Sequence, residues 1–313
     1  MNNSMKAVQI HAFGDRSVLS LNDIAIPTPA ENDVLIKVKA AAVNPVDWKI
    51  REGYLQSLLN HTLPLTLGWD VAGEIAAIGE NVKHLKVGDA VYSRPDIAKN
   101  GSYAEYQVVD ADEVALKPSS LSWQEAAGIP LAALTAWQSL YEFAKLEAGE
   151  RVLIHAGSGA VGQFAIQLAK LRGAYVYTTT SSKNTELVLS LGADEAIDYH
   201  QEDFSTLNDI DVVFDTIGGE TQANSWKTLK KGGRLVSIYE NPDEATATEY
   251  GVSSSFCFVQ PSREQLEKLA ELADAGKLKV NIDSEFSLNQ VAEAHERSES
   301  GHAQGKIIIN VSA

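Results

Sequence analysis

The first third of the chain is built from short apolar or alternating stretches at 6–10, 34–42, 71–78 and 90–92, punctuated by Gly, Pro, Asn and Asp. Period-two runs bounded by turn residues predict strands, so the reading to about Ser120 is a small, β-rich, barrel-like domain. At Ser122, a suitable N-cap, the period lengthens and the pattern is helical through 134–144. A second rhythm then begins. Val152, Leu153 and Ile154 read as a buried strand, and Val161, Phe164, Ala165 and Leu168 recur at helical spacing. Strands are predicted at 175–180, 211–215 and 233–238, and a helix at 183–191 stopped by Gly192. This alternation is that of an α/β fold with a doubly wound parallel sheet. A helix over 263–275, stopped by Gly276, and a last strand at 305–311 follow, the strand returning to the first domain.

The turn between the strand at 152–154 and the helix after it reads Gly157-Ser158-Gly159-Ala160-Val161-Gly162. In a strand-to-helix context the first glycine permits a tight turn and the second lets a pyrophosphate approach the main chain. The third allows close helix-to-strand packing, and the free N–H groups of the helix start face the anion. A dinucleotide is the ligand this predicts. The alternative is a glycine-rich turn that binds nothing, since such spacings are common.

Length and charge narrow the function classes. At 313 residues the chain exceeds one usual core, and 44% apolar residues can fill two. The expected division is 1–121 completed by about 262–313, and 122–261. A formal net charge of -16 disfavours nucleic acid or anionic lipid as partners. The single cysteine, Cys257, forms no internal disulfide, and no signal peptide or membrane-length apolar run is evident, so a reducing cytoplasm fits best.

Several motifs in order resemble one family. They are Val43-Asn-Pro-Val-Asp-Trp-Lys-Ile-Arg-Glu-Gly53, Leu67-Gly-Trp-Asp-Val-Ala-Gly-Glu74, Val87-Gly-Asp-Ala-Val-Tyr92, Leu134-Thr-Ala-Trp137, the glycine turn, Asp211-Val-Val-Phe-Asp-Thr-Ile-Gly-Gly219 and Gly301-His-Ala-Gln-Gly-Lys306. Together they resemble the zinc-free quinone oxidoreductases and enone reductases of the medium-chain dehydrogenase/reductase superfamily. The resemblance implies a Rossmann domain, a GroES-like catalytic domain, a homodimer, and hydride transfer to a quinone or an α,β-unsaturated carbonyl. Zinc alcohol dehydrogenases of the superfamily place a cysteine and a histidine where Asn44 and Trp69 stand here, and neither replacement offers a thiolate or imidazole, so no metal is expected. A catalytically weak nucleotide sensor of the same fold and a zinc alcohol dehydrogenase are the competing readings.

NAD readers place an acid about 20 residues beyond the glycine turn. Here that place reads Tyr177-Thr-Thr-Thr-Ser-Ser-Lys-Asn184, with hydroxyls and a cation suited to a 2′-phosphate, so NADPH is expected. By resemblance Ser182, Lys183 and Tyr199 contact that phosphate, and Ser181 beside them is a further cofactor-binding candidate. Thr135 lies near the nicotinamide, Gly218 beside the adenosine, and the segment holding Phe256 and Phe258 by the carboxamide. Bland readings stand beside these: a helix cap, a solvated lysine, packed aromatics. At the substrate end the resemblance points to Asn44, Asp47 and Lys49, with Lys49 standing where some bacterial quinone reductases have a tyrosine. The proton donor is Lys49 itself or water relayed through Lys49 or Tyr54. The alternatives are a turn pair at Asn44-Pro45, a backbone cap at Asp47 and a surface charge at Lys49. Asp70 reads as a structural acceptor, and His155 as a packed strand residue.

Overall fold

The computed structural model describes residues 4–311. Two units form, one from Met1–Leu131 with Gln260–Ala313 and one from Ala132–Val259. The division falls beyond the expected residue 121. The helix Trp123–Ala127, capped by Ser122 with Glu125 closing the box, packs on strands of the first unit and belongs to that unit.

In the first unit, β1 (Ser4–Ile10), β2 (Leu19–Ala25), β3 (Asp33–Val43), β4 (Leu65–Thr66), β5 (Val71–Ile78), β6 (Ala90–Ser93), β7 (Tyr106–Asp110) and β8 (Val114–Leu116) precede the nucleotide unit. In the second unit, β9 (Arg151–Ile154), β10 (Tyr175–Thr180), β11 (Glu195–Asp198), β12 (Ile210–Asp215), β13 (Leu229–Ser237) and β14 (Ser253–Phe256) follow. The chain then returns to the first unit with β15 (Ile282–Ser287) and β16 (Lys306–Asn310).

The first unit carries a three-stranded sheet, β2-β1-β4, and a larger one in the order β15-β16-β3-β5-β6-β8 with β7 also on β3. β3 is the hub. Its 11 residues are mostly buried and apolar, only Asp33, Lys37 and Lys39 being polar, and Val34, Ile36 and Val38 join Val71, Ile75, Val91, Val109 and Val114 in one core. The last strand docks where the apolar pattern at 305–311 suggests: Ile307 pairs with Val43 and Ile309 with Ala41, antiparallel. That pairing brings Lys306 to the end of β3, beside the turn that begins at Asn44.

The second unit has a six-stranded, all-parallel sheet in the order β11-β10-β9-β12-β13-β14. This is the 3-2-1-4-5-6 order of a dinucleotide-binding sheet, whose direction reverses between the first and fourth strands. Its central strands β9 and β12 carry runs of Val, Leu, Ile and Phe because both faces are covered. The glycine turn follows β9, at the carboxyl end of the sheet and at that reversal.

Candidate active site

In the nucleotide unit the turn after β9 leads into the helix Ala160–Leu171, with Gly159 as its N-cap. The three glycines are required for different reasons. A Cβ on Gly157 would lie 2.0 Å from Thr178 Oγ1, and one on Gly162 would lie 2.3 Å from the Ala156 carbonyl oxygen, so the fold itself forbids side chains there. Gly159 has an ordinary φ of -74°, and its Cβ would meet only the Ala156 oxygen, at 3.3 Å. Packing therefore leaves room for a side chain at Gly159, and what benefits from its absence is a group approaching from outside. Ser158, Ala160 and Val161 are partly exposed around it. Ala156, immediately upstream, holds a φ of +52°, a conformation costly for a residue with a Cβ.

Thr180, the last residue of β10, has a buried hydroxyl with no hydrogen-bond partner. Beyond it Asn184, a residue the sequence reading passed over, donates to Ser158 Oγ at 3.0 Å and to Ser181 Oγ at 3.3 Å, tying the two loops together. Ser182 and Lys183 are exposed. The Ser182 hydroxyl lies against Asp198, whose carboxyl is held below its usual range mainly by the His200 backbone N–H. Tyr199 is 55% exposed, its ring 4.2 Å from that of His200, so a packed-aromatic reading does not apply. Gly218, at a φ of +76°, begins a turn organised by Asp215, which accepts from the N–H groups of Ile217 and Gly218. Thr135 is buried. Phe256 ends β14, and Phe258 lies beyond the strand, whose pairing with β13 ends at Ser237. These features fit a dinucleotide: an open glycine at a helix start, an unpaired hydroxyl at the end of the next strand, and a lysine with exposed neighbours beyond it.

His155 is a packed residue, one position beyond the end of β9 rather than within it. Its ring is fully buried between Thr179 Oγ1 and Ser225 Oγ, and burial lowers its pKa to about 4.

In the first unit the Asn44 turn is the centre of a buried polar assembly. Asn44 caps the helix Pro45–Arg51. Its Nδ2 donates to Asp70 Oδ2 at 2.9 Å, and its Oδ1 accepts from Lys306 Nζ at 2.6 Å. Lys306 Nζ also bonds Asp70 Oδ2 at 2.9 Å, with both side chains at most 1% exposed. Asp70 Oδ1 accepts the Leu131 N–H at 2.6 Å. Asp70 is therefore a structural acceptor.

Asp47 is fully buried too. Its Oδ2 takes both the Asn44 backbone N–H, at 2.8 Å, and the Tyr103 hydroxyl, at 2.7 Å, while Oδ1 has no partner. Burial pushes its pKa up to about 7 and that of Tyr103 well above its usual value. Gly68 makes room for the Tyr103 ring: at a φ of +93°, a Cβ there would lie 2.5 Å from it.

Lys49 is half-buried with its ammonium 5.8 Å from the centre of the Trp48 ring, and burial lowers its pKa. Tyr54 is 65% exposed and meets Trp48 edge to face. Thus Asn44, Asp47 and Asp70 come together in one network, and Lys49 and Tyr54 lie against Trp48. Lys306 and Tyr103 complete the network, and neither is among the candidate site residues that the sequence offers. The signal available for Lys306 is its place at the end of the Gly301–Lys306 motif, opening an apolar strand.

Two family models match, that of the alcohol dehydrogenase GroES-like domain at residues 30–119 and that of zinc-binding dehydrogenases at residues 191–309. The 2-methylene-furan-3-one reductase of Solanum lycopersicum is 40% identical over 98% of this chain and 79% of its own length. Among solved structures, the quinone oxidoreductase of Coxiella burnetii superposes with a TM-score of 0.92 at 36% identity, covering 99% of this chain and all of the other. The chain belongs to the quinone oxidoreductase and enone reductase branch of the medium-chain dehydrogenase/reductase superfamily. It is an NAD(P)-dependent oxidoreductase. The Escherichia coli quinone oxidoreductase, solved in complex with NADPH, matches with a TM-score of 0.88 at 27% identity over 98% of this chain and all of the other.

The match of residues 191–309 to a zinc-binding dehydrogenase model raises the question of a metal, and the donor set here does not fit one. At the two ligand positions, the Asn44 amide is engaged at both ends and the Trp69 indole N–H donates to the Lys99 carbonyl at 3.1 Å. The Lys306 ammonium, bonded to Asn44 and Asp70, would repel a dication. Among the described residues no group of three or more His, Cys, Asp and Glu is placed to hold a metal ion.

Proposed function

We propose that this chain is an NADPH-dependent reductase of quinones or α,β-unsaturated carbonyls that works without zinc. The observation that carries the reading is the Lys306 ammonium, which is bonded to Asn44, at one of the positions where the zinc enzymes of the superfamily keep a ligand, and to Asp70, the residue after the other. Without a Lewis acid, oxidation of an unactivated alcohol loses its usual means of stabilising an alkoxide, and reduction of an activated acceptor is favoured. The tomato relative carries a reductase name of this kind, and the Coxiella and Escherichia coli structures carry quinone oxidoreductase names.

The residues divide the work as follows. The main chain at Ser158–Gly162, with the helix start behind it, receives the pyrophosphate. Lys183, Ser182 and Tyr199 receive the 2′-phosphate, with Ser181 held in place through Asn184. Thr135 and the main chain near Phe256 and Phe258 meet the nicotinamide end. The bound coenzyme supplies a hydride. Lys49, its pKa lowered by burial, places an ammonium that takes up negative charge or gives a proton, with Tyr54 as the route to solvent. Asn44 and Asp47 act by position: their polar atoms are spent on Asp70, Lys306 and Tyr103, which fixes the loop that carries Lys49.

A cytoplasmic homodimer is part of the same reading. Cys257 is buried as a free thiol, and among the described strands β14 pairs with β13 alone, leaving a sheet edge for a second copy. The test is acceptor-dependent oxidation of reduced coenzyme by the purified chain, with 3-buten-2-one and 1,4-benzoquinone as acceptors. The reading predicts turnover with NADPH well above that with NADH. A chain that binds NADPH and turns over neither acceptor would be the nucleotide sensor instead.

A further inference from the structure

Arg94 is an anomaly in the first unit. It directly follows β6, whose last residue Ser93 pairs with Val71, the first of β5, and the Asp70 carboxylate just before Val71 is near enough to act on it through space. Its side chain is 2% exposed. Nε is sealed from solvent without a partner, and Nη1 reaches only the Pro95 carbonyl, at 3.4 Å. Among the described residues Arg94 makes no salt bridge. Buried arginines are normally paired, because an isolated buried charge costs several kcal/mol.

The nearby carboxylates do not relieve it. Asp70 is neutralised by Lys306, Asp96 Oδ1 accepts from the Ala98 N–H, and Glu113 Oε2 accepts from the Asp96 N–H. They act on Arg94 only through space, and burial lowers its pKa in spite of them. The assembly beside Asn44 therefore pairs Asp70 with Lys306 and leaves one guanidinium over, with a planar fork suited to an oxygen anion.

We propose that Arg94 is a substrate-binding residue, its guanidinium receiving an oxygen of the acceptor that is, or becomes, negatively charged. The inference rests on the reductase reading above and names the group that site recognises. Two sources share this chemistry. One is the carbonyl oxygen of a neutral enone: hydride adds to the β-carbon, the C=C π pair moves to form the enolate, and the oxygen takes up the charge until a solvent-derived proton reaches the α-carbon. The other is a carboxylate already present on the acceptor.

The experiment compares unaltered protein with Arg94→Met and Arg94→Lys, using NADPH with 3-buten-2-one and with 4-oxopent-2-enoate. Loss of an oxyanion donor lowers kcat by about 100-fold. A fall of that size for both acceptors, with KM for 3-buten-2-one little changed, assigns Arg94 to the developing oxyanion. A raised KM confined to 4-oxopent-2-enoate assigns it to a carboxylate. In either case the NADPH affinity of Arg94→Met stays near that of the unaltered protein, and its thermal midpoint is equal or higher, since an unpaired buried charge has been removed. Unchanged kcat and KM for both acceptors would overturn the inference while leaving the reductase reading intact. So would a lowered thermal midpoint in Arg94→Met together with normal kinetics in Arg94→Lys, which marks a structural arginine. If the unaltered protein reduces neither acceptor, the reductase reading fails and this inference falls with it.

Discussion

Lys306→Met is the sharpest test of the buried assembly. Lys306 and Asp70 are both at most 1% exposed and lie 2.9 Å apart, and Lys306 also bonds Asn44 Oδ1 at 2.6 Å. Methionine fills most of the lysine volume, so the substitution removes charge with little change in packing. It leaves the Asp70 carboxylate with the Asn44 amide and the Leu131 N–H as its only donors, and leaves Asn44 Oδ1 without one. Removing one member of a buried pair costs about 3–5 kcal/mol, because the remaining charge stays desolvated. For a unit of this size that corresponds to a fall in thermal midpoint of roughly 6–20 °C, at ~2–4 °C per kcal/mol. Denaturant and thermal unfolding followed by tryptophan fluorescence read it, since Trp48, Trp69 and Trp123 report on the first unit. Combining Lys306→Met with Asp70→Asn should recover much of the loss, because the stranded charge is then gone. A loss below about 1 kcal/mol for the single change, or simple additivity in the double, would refute the claim that this ammonium is electrostatically required.

Three further predictions follow from the two sites. Gly159→Ala should keep its fold, since the new Cβ meets only one oxygen at 3.3 Å, yet lose at least ~10-fold in NADPH affinity because the methyl stands where the pyrophosphate approaches; calorimetric titration with unchanged affinity would move the phosphate elsewhere. Lys183→Glu should weaken NADPH by ~10–100-fold, the worth of one charged hydrogen bond, with far less effect on NADH, and equal weakening of both would reject the 2′-phosphate placement. Asp47, with a folded pKa of about 7 against an ordinary 3.8, binds more protons folded than unfolded between those values, so it makes stability fall as pH rises from about 4 to 7. Its share of the slope is up to about 1.4 kcal/mol per pH unit. Asp47→Asn, whose carbonyl oxygen can accept both bonds now made by Oδ2, should flatten that part of the profile, and an unaltered slope in urea titrations across this window would contradict the assignment.

The nucleotide unit was legible in the sequence because its signals are local. The strand at Tyr175–Thr180 was read to the residue, and the glycine turn announced itself within six positions. β2, β4 and β8 carry little sequence signal because short or half-exposed strands alternate weakly, and β11 because it is a four-residue piece completing a sheet that others define. The assembly around Asn44 was legible only in part. Asn44, Asp47, Asp70 and Lys306 sit in recognisable motifs, but Tyr103 sits in none, and which of these residues meet is decided over long sequence separations. Lys306 joins Asn44 from 262 residues away. No local pattern carries that information, and burial of a charge becomes visible only once its neighbours are known.

The central claim, an NADPH-driven reduction that needs no metal, is tested most directly by one assay. Purified protein is treated with a strong chelator, its zinc content is measured, and loss of reduced-nicotinamide absorbance is followed with 3-buten-2-one or 1,4-benzoquinone, with and without added zinc. Full acceptor-dependent turnover in metal-free protein, unchanged by zinc, is the predicted result. Turnover that vanishes on chelation and returns with zinc would contradict it.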